Sequence, residues 1–172
     1  MLKEKFVDIR HDWREGIDFV EPFAEVAKSQ SIRCSIAIGA YYGLKLEQVD
    51  VVSTFLHPDV GEEIYIQFPQ GLEVPEEFQK GALALRLLKG LDGLKQAPRL
   101  WNDAVHATLH RLHLPRSNSD PCLYVRKETG EFVILAVYVD DLIVTCNSSD
   151  LLSKVKVAFK ENYKKTDLGE LS

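Results

Sequence analysis

Phe132 to Cys146 reads F-V-I-L-A-V-Y-V-D-D-L-I-V-T-C, two apolar runs separated only by Asp140 and Asp141. Each run has the length of a buried strand, and the acids between them read as a tight hairpin turn. Two adjacent carboxylates at the tip of a buried hairpin repel one another and raise each other's pKa. Asn-Gly or Asp-Gly would suit a two-residue turn better, because both central residues take positive φ. A solvated turn without chemistry accounts for the pair in one way. A metal site accounts for it in another.

Mg²⁺ takes carboxylate oxygens and keeps water and phosphate oxygens as its other ligands. Phosphoryl transfer commonly uses two such ions about 4 Å apart. Two ions need carboxylates from more than one strand, so a third acid is expected at the end of another apolar strand. Asp50, in Q-V-D-V-V (Gln48 to Val52), is the candidate. Val49 and Val51-Val52 bracket it, and burying it there is costly without a cation.

Outward from these strings the chain alternates helices and strands. Ser29 or Ser31 can cap a helix running to about Tyr42, with Ile32, Ile36 and Ala40 at helical spacing and Gly43 as its stop. Leu44 to Val52, Glu63 to Phe68, Ala82 to Leu88 and Cys122 to Val125 are strand-like. Pro98 suits the first turn of a helix whose apolar stripe is Trp101, Val105, Leu109 and Leu112. Ser148 or Ser149 caps a last helix with Leu151, Leu152, Val155 and Phe159 inward. The pattern is α+β: an antiparallel sheet with helices on one face, similar to the split β-α-β arrangement.

The 172 residues suit one domain, and 45% hydrophobic content is enough for a core. No apolar run is long enough to cross a bilayer, and M-L-K-E-K-F lacks the apolar core of a secretory signal. Cys34, Cys122 and Cys146 form no metal-ligand grouping and fit reduced, mostly buried thiols inside the cell. The net charge of −5 speaks against a nucleic-acid footprint, but its distribution is uneven. Asp59 to Phe78 holds six acidic residues and no Lys or Arg, whereas Lys80 to Arg116 holds seven basic residues. Lys154 to Lys165 adds five lysines. The expectation is a basic middle and end facing a polyanion, with the acidic hairpin facing away; solvated helix faces are the plainer reading. His106 and His110 have zinc-like spacing, but H-A-T-L-H lacks the glutamate of the metalloprotease motif.

Y-V-D-D at Tyr138 to Asp141 resembles the reverse-transcriptase signature. The resemblance continues in order through R-E-G-I-D-F (Arg14 to Phe19), Q-V-D-V-V-S-T-F-L (Gln48 to Leu56) and E-E-I-Y-I-Q-F-P-Q-G (Glu62 to Gly71). It extends through G-L-K-Q-A-P-R-L-W-N (Gly93 to Asn102), D-P-C-L-Y (Asp120 to Tyr124) and D-L-G-E-L (Asp167 to Leu171). These strings together resemble the copia-type long-terminal-repeat retrotransposon reverse transcriptases.

That resemblance implies an RNA-directed DNA polymerase: residues 1–172 as fingers and a right-hand palm, ending before the primer grip and thumb. It implies two Mg²⁺ ions, with Mn²⁺ able to substitute, on Asp50, Asp140 and Asp141. It places backbone near Val51 by an incoming deoxynucleoside triphosphate and Phe55 under its sugar, where a ring would clash with a 2′-hydroxyl. Tyr138 would touch the primer end. Lys95, in a turn near the template, and Lys5, in the fingers, supply cations. Implied partners are an RNA/DNA template-primer, deoxynucleoside triphosphates and the other pol domains (thumb, RNase H, integrase). The implied setting is intracellular and cytoplasmic, within a virus-like particle for a complete element.

The chain departs from the family pattern at Asp92, where Tyr is usual, at Ile9, where a cation is usual, and at His57-Pro58, where Asn-Gly is usual. With the missing grip and thumb, these departures support an alternative expectation: a catalytically inactive transposon relic or an RNA-binding fragment. On that expectation the polypeptide alone extends a primer poorly.

Overall fold

The computed structural model describes residues 24–61, 63–67, 84–128, 130–163 and 165–170. In chain order the elements are α1 (Ser29–Tyr42), β1 (Lys45–Val51), a 3₁₀ turn (Thr54–Leu56), β2 (Tyr65–Gln67), β3 (Ala84–Arg86) and α2 (Ala97–Arg111). Then follow β4 (Leu123–Glu128), β5 (Glu131–Tyr138), β6 (Asp141–Cys146), α3 (Ser149–Asn162) and β7 (Lys165–Glu170). Five strands form an antiparallel sheet in the order β4-β5-β6-β1-β7, and β2 pairs with β3 alone.

The helices form where the apolar periodicity places them. Gly43, at φ 60, ends α1 with its N–H turned back onto the Ala40 and Gly39 carbonyls. The start of α1 differs from expectation: neither Ser29 nor Ser31 caps it, and the N-cap is Lys28. The Lys28 N–H donates to Asp120 Oδ2 at 2.9 Å, which ties the start of the helix to a carboxylate distant in sequence. Pro98 sits in the first turn of α2, which buries Trp101, Val105, Thr108 and Leu109. Ser148 caps α3 by accepting the Leu151 N–H at 3.3 Å, and Leu151, Leu152, Val155 and Phe159 are buried.

Period-2 alternation divides the sheet into two faces. Val49, Leu135, Leu142, Val144 and Cys146 point to one face and are essentially excluded from solvent. Such full burial stabilises by about 1.5–3 kcal/mol per large apolar side chain. On this face the Glu47 carboxylate pairs with Lys156 of α3, and Lys45 Nζ donates to Ser149 Oγ at 2.7 Å. Tyr163, just after α3, ties in α2: its hydroxyl donates to the Ala104 carbonyl at 3.0 Å.

The opposite face carries α1. Thr145 Oγ1 donates to the Ser35 carbonyl at 3.5 Å, and a Cβ added to Gly39 would lie 2.9 Å from Thr145 Cγ2. The expectation of helices on one face is therefore corrected, since α1 lies across the sheet from α3. Small residues at Gly39 and Ser35 let that helix sit close over Thr145.

The β2–β3 pair also changes the charge picture. Arg86 meets Glu63 at 3.5 Å and Lys89 meets Asp59 at 2.6 Å. Acidic and basic stretches that were expected to face different ways pair with one another here, because antiparallel pairing brings them side by side. Glu62 and residues 68–83, which hold the rest of the acidic stretch and Lys80, lie outside the described residues. Cys122 and Cys146 are buried free thiols, and Cys34 is exposed. No helix among the described residues is long and apolar enough to cross a membrane.

Candidate active site

The middle of the sheet brings the three acids to one end. In β1–β6 pairing Asp50 stands directly opposite Asp141. Residues opposite one another share a face, so both carboxylates lie on the face that also carries Gln48 and Ile143. The Val51 N–H donates to the Asp140 carbonyl at 2.9 Å. Pair types alternate along an antiparallel ladder, so Asp50 and Asp141 occupy the closer kind, with Cα atoms roughly 4.5 Å apart. Tyr138 of β5 faces Asp141 from the other side and is exposed.

The turn itself is shifted from the expected position by one residue. Tyr138 pairs with Asp141, so Val139 and Asp140 make the turn and Asp141 is the first residue of β6. Pairing on both sides, to Tyr138 and to Asp50, draws Asp141 into the sheet. Val139 takes φ 53. A β-branched residue in the left-handed region is strained and persists only where its surroundings over-determine it. Here Trp101 Nε1 donates to the Val139 carbonyl at 2.7 Å.

Asp140 and Asp141 each have a side-chain donor. Thr54 Oγ1 donates to Asp140 Oδ1 at 2.6 Å, and Gln48 Nε2 donates to Asp141 Oδ1 at 2.8 Å. Desolvation raises the Asp50 pKa above the ordinary aspartate range, and the negative charges of Asp141 and Asp140 raise it further. The carboxylates are thus near enough to repel, which a divalent cation would relieve. In kind, the donors fit a hard ion: carboxylate oxygens from adjacent strands β1 and β6 and from the β5–β6 turn. As placed, no group of three or more His, Cys, Asp or Glu among the described residues grips a single point. One oxygen of Asp140 is held by Thr54 and one of Asp141 by Gln48.

The other expected residues are scattered by comparison. Val51 is buried on the core face. Phe55, in the 3₁₀ turn after β1, is partly buried against both the main core and the small cluster of Ile64, Leu94 and Ala97. Lys95 is exposed in the turn before α2. Lys5 lies outside the described residues. Trp101, read from sequence as part of the apolar stripe of its helix, is core, with its indole N–H holding the acid turn. Sequence reading missed Gln48, Thr54 and the Trp101 bond. Gln48 and Thr54 flank Asp50 in a string already singled out, so their polarity was a usable signal. The indole bond spans 38 positions and left no local sign.

The profile of the reverse transcriptase (RNA-dependent DNA polymerase) family matches residues 2–172. The retrovirus-related Pol polyprotein from transposon TNT 1-94 of Nicotiana tabacum is 36% identical over 168 residues, covering 97% of this chain and 12% of that protein. Two Arabidopsis thaliana relatives, the retrovirus-related Pol polyproteins from transposons RE2 and RE1, are each 30% identical. They cover 94% and 98% of this chain, and 11% of their own length in each case. The chain thus spans about a tenth of the curated relatives it matches. With the acids on adjacent strands and these matches along nearly the whole chain, the protein belongs to the reverse transcriptase family, in the branch carried by the Pol polyproteins of copia-type retrotransposons.

Proposed function

We propose that residues 1–172 are the fingers and right-hand palm of an RNA-directed DNA polymerase, and that Asp50, Asp140 and Asp141 hold two divalent cations. The observation that carries this reading is the cross-strand pair Asp50–Asp141 beside the turn that bears Asp140. Bound there, two Mg²⁺ or Mn²⁺ ions would supply charge stabilisation to the attacking and leaving oxygens of an in-line displacement. The chain's own part is placement. Asp50 and Asp141 share one face of the sheet, and Tyr138, exposed beside them, would pack against a primer end. Backbone after Val51 would approach the triphosphate, since the Val51 N–H is already given to Asp140. The Phe55 ring would exclude a 2′-hydroxyl and so favour deoxynucleotides. Lys95 and Lys5 would lie by template and nucleotide phosphates. An RNA/DNA template-primer and the thumb, RNase H and integrase portions of a longer polyprotein are the proposed partners. A complete element would carry it in a cytoplasmic virus-like particle.

Mn²⁺ titration of the chain, followed by water-proton relaxation, tests the metal reading. Asp50→Asn and Asp141→Asn should weaken binding by more than the roughly 10–100-fold that loss of an outer partner causes. Primer extension on an RNA template should fall with them. A wild-type chain that binds no Mn²⁺ would overturn the proposal. Salt-sensitive RNA binding that persists without Mn²⁺ dependence would instead favour the RNA-binding fragment.

A further inference from the structure

Asp140 and Asp141 both take a side-chain hydrogen bond from the segment that carries the third acid. Gln48 lies two residues before Asp50 and Thr54 four after it. Gln48 reaches Asp141 at 2.8 Å and Thr54 reaches Asp140 at 2.6 Å. We propose that Gln48 and Thr54 are positioning residues for the cation site, each holding one carboxylate oxygen and leaving the other as the cation's donor. This rests on the reading of the three acids as cation ligands.

The physical case starts from repulsion. Three carboxylates share one end of the sheet, and an untethered Asp side chain would rotate away from its neighbours' negative charge. A donor on one oxygen stops that rotation without adding a positive charge that would compete with a metal ion. Thr54 is well placed to do this, being 2% exposed, with its hydroxyl spent on Asp140. Its backbone lies in the 3₁₀ turn Thr54–Leu56, where the Leu56 N–H donates to the Ser53 carbonyl at 2.9 Å, so the hydroxyl has a fixed base. Gln48 is equally fixed, as a β1 residue paired with Ile143. The arrangement follows the general rule that hydrogen-bond partners behind metal ligands orient them, and that losing one typically lowers affinity about 10–100-fold. β1 and its following turn therefore supply one acid and the alignment of the other two.

The test uses the full chain with Mn²⁺ alone as probe, read by water-proton relaxation, and melting curves to verify that each variant folds. Thr54→Val keeps the shape and removes the hydroxyl; Gln48→Leu removes the amide. Each should weaken Mn²⁺ binding about 10–100-fold, while Thr54→Ser, which keeps the donor, should stay near wild type. Wild-type or tighter affinity in both Thr54→Val and Gln48→Leu overturns the proposal, as does a Thr54→Ser variant as weak as Thr54→Val. Should Thr54→Val not fold, Gln48→Leu decides. Failure of the wild type to bind Mn²⁺ would strike the parent reading; normal wild-type binding with unaffected variants would strike this one alone.

Discussion

Strand β5 enters and leaves through two short turns that solve the same problem differently. At its start, Glu128 pairs with Glu131 across a link that contains Gly130 at φ 84. At its end, Tyr138 pairs with Asp141 across Val139 at φ 53 and Asp140. Glycine takes positive φ without steric cost; valine does not. At the first turn Asn147 donates to the Gly130 carbonyl at 2.9 Å and accepts the Phe132 N–H at 2.8 Å, and Arg126 bridges the flanking Glu128 and Glu131 carboxylates at 2.7 and 3.2 Å. The second is braced from several sides. Trp101 holds the Val139 carbonyl, the Ala27 N–H donates to the Val137 carbonyl at 3.1 Å, and the Val137 N–H donates to the Cys122 carbonyl at 2.9 Å. The first turn uses the residue that fits its backbone. The turn that carries Asp140 tolerates a poor conformer and draws its support from elsewhere in the fold, as the proposed presentation of carboxylates would require.

The bracing behind the acid turn should break most visibly at Asp120. It is buried and accepts the Lys28 N–H at 2.9 Å and the Cys122 N–H at 3.0 Å. Asp120→Ala strands those donors and should cost about 3 kcal/mol in urea unfolding. Burial pushes the Asp120 pKa up, but the Ser31 hydroxyl, the two N–H donors and the Lys28 charge outweigh it and the net shift is downward. A depressed folded-state pKa gives stability that is present above the unfolded-state value and lost as pH falls through the folded one. The stability gap between wild type and Asp120→Asn should therefore close below the ordinary aspartate range. A gap that persists there would remove the carboxylate from the account.

Trp101→Phe keeps a ring but leaves the Val139 carbonyl without its indole donor. A loss of about 1–2 kcal/mol is expected, whereas Asn147→Ala, at the other turn, should cost less because its partners face water. Equal losses would erase the contrast in bracing. The smallest effects should have opposite signs. Gly130→Ala should lower stability by about 1 kcal/mol for conformational reasons alone, since an added Cβ meets nothing within 4 Å. Val139→Gly should be neutral or raise stability by up to about 1 kcal/mol. If Val139→Gly destabilises more than Gly130→Ala, the acid turn is not strained.

Much of this was legible from local pattern. The end of α1 at Gly43 and the starts of α2 and α3 at Pro98 and Ser148 follow from local signals and apolar spacing, and β1, β5 and β6 from apolar runs. Asp50 could be picked out as the acid that a metal reading required before any pairing was known. β7 escaped notice because K-T-D-L-G-E has no apolar alternation; it is a strand because β1 offers it an edge. The one-residue shift of the acid turn escaped as well, since Tyr138 and Val139 are both good strand residues and only pairing decides between them.

The sequence by itself determined that this chain is an α+β member of the copia-type reverse transcriptase branch, with three acids in apolar settings. Those properties reside in local composition, periodicity and ordered motifs, all of which survive in a one-dimensional string. Tertiary structure alone decided that Asp141 faces Asp50, that Thr54 and Gln48 hold Asp140 and Asp141, that Trp101 secures Val139, and that α1 lies across the sheet from α3. Each of these depends on which strands become neighbours and in what register. That choice is made by burial of the whole core and satisfaction of every backbone hydrogen bond together, so no single segment encodes it.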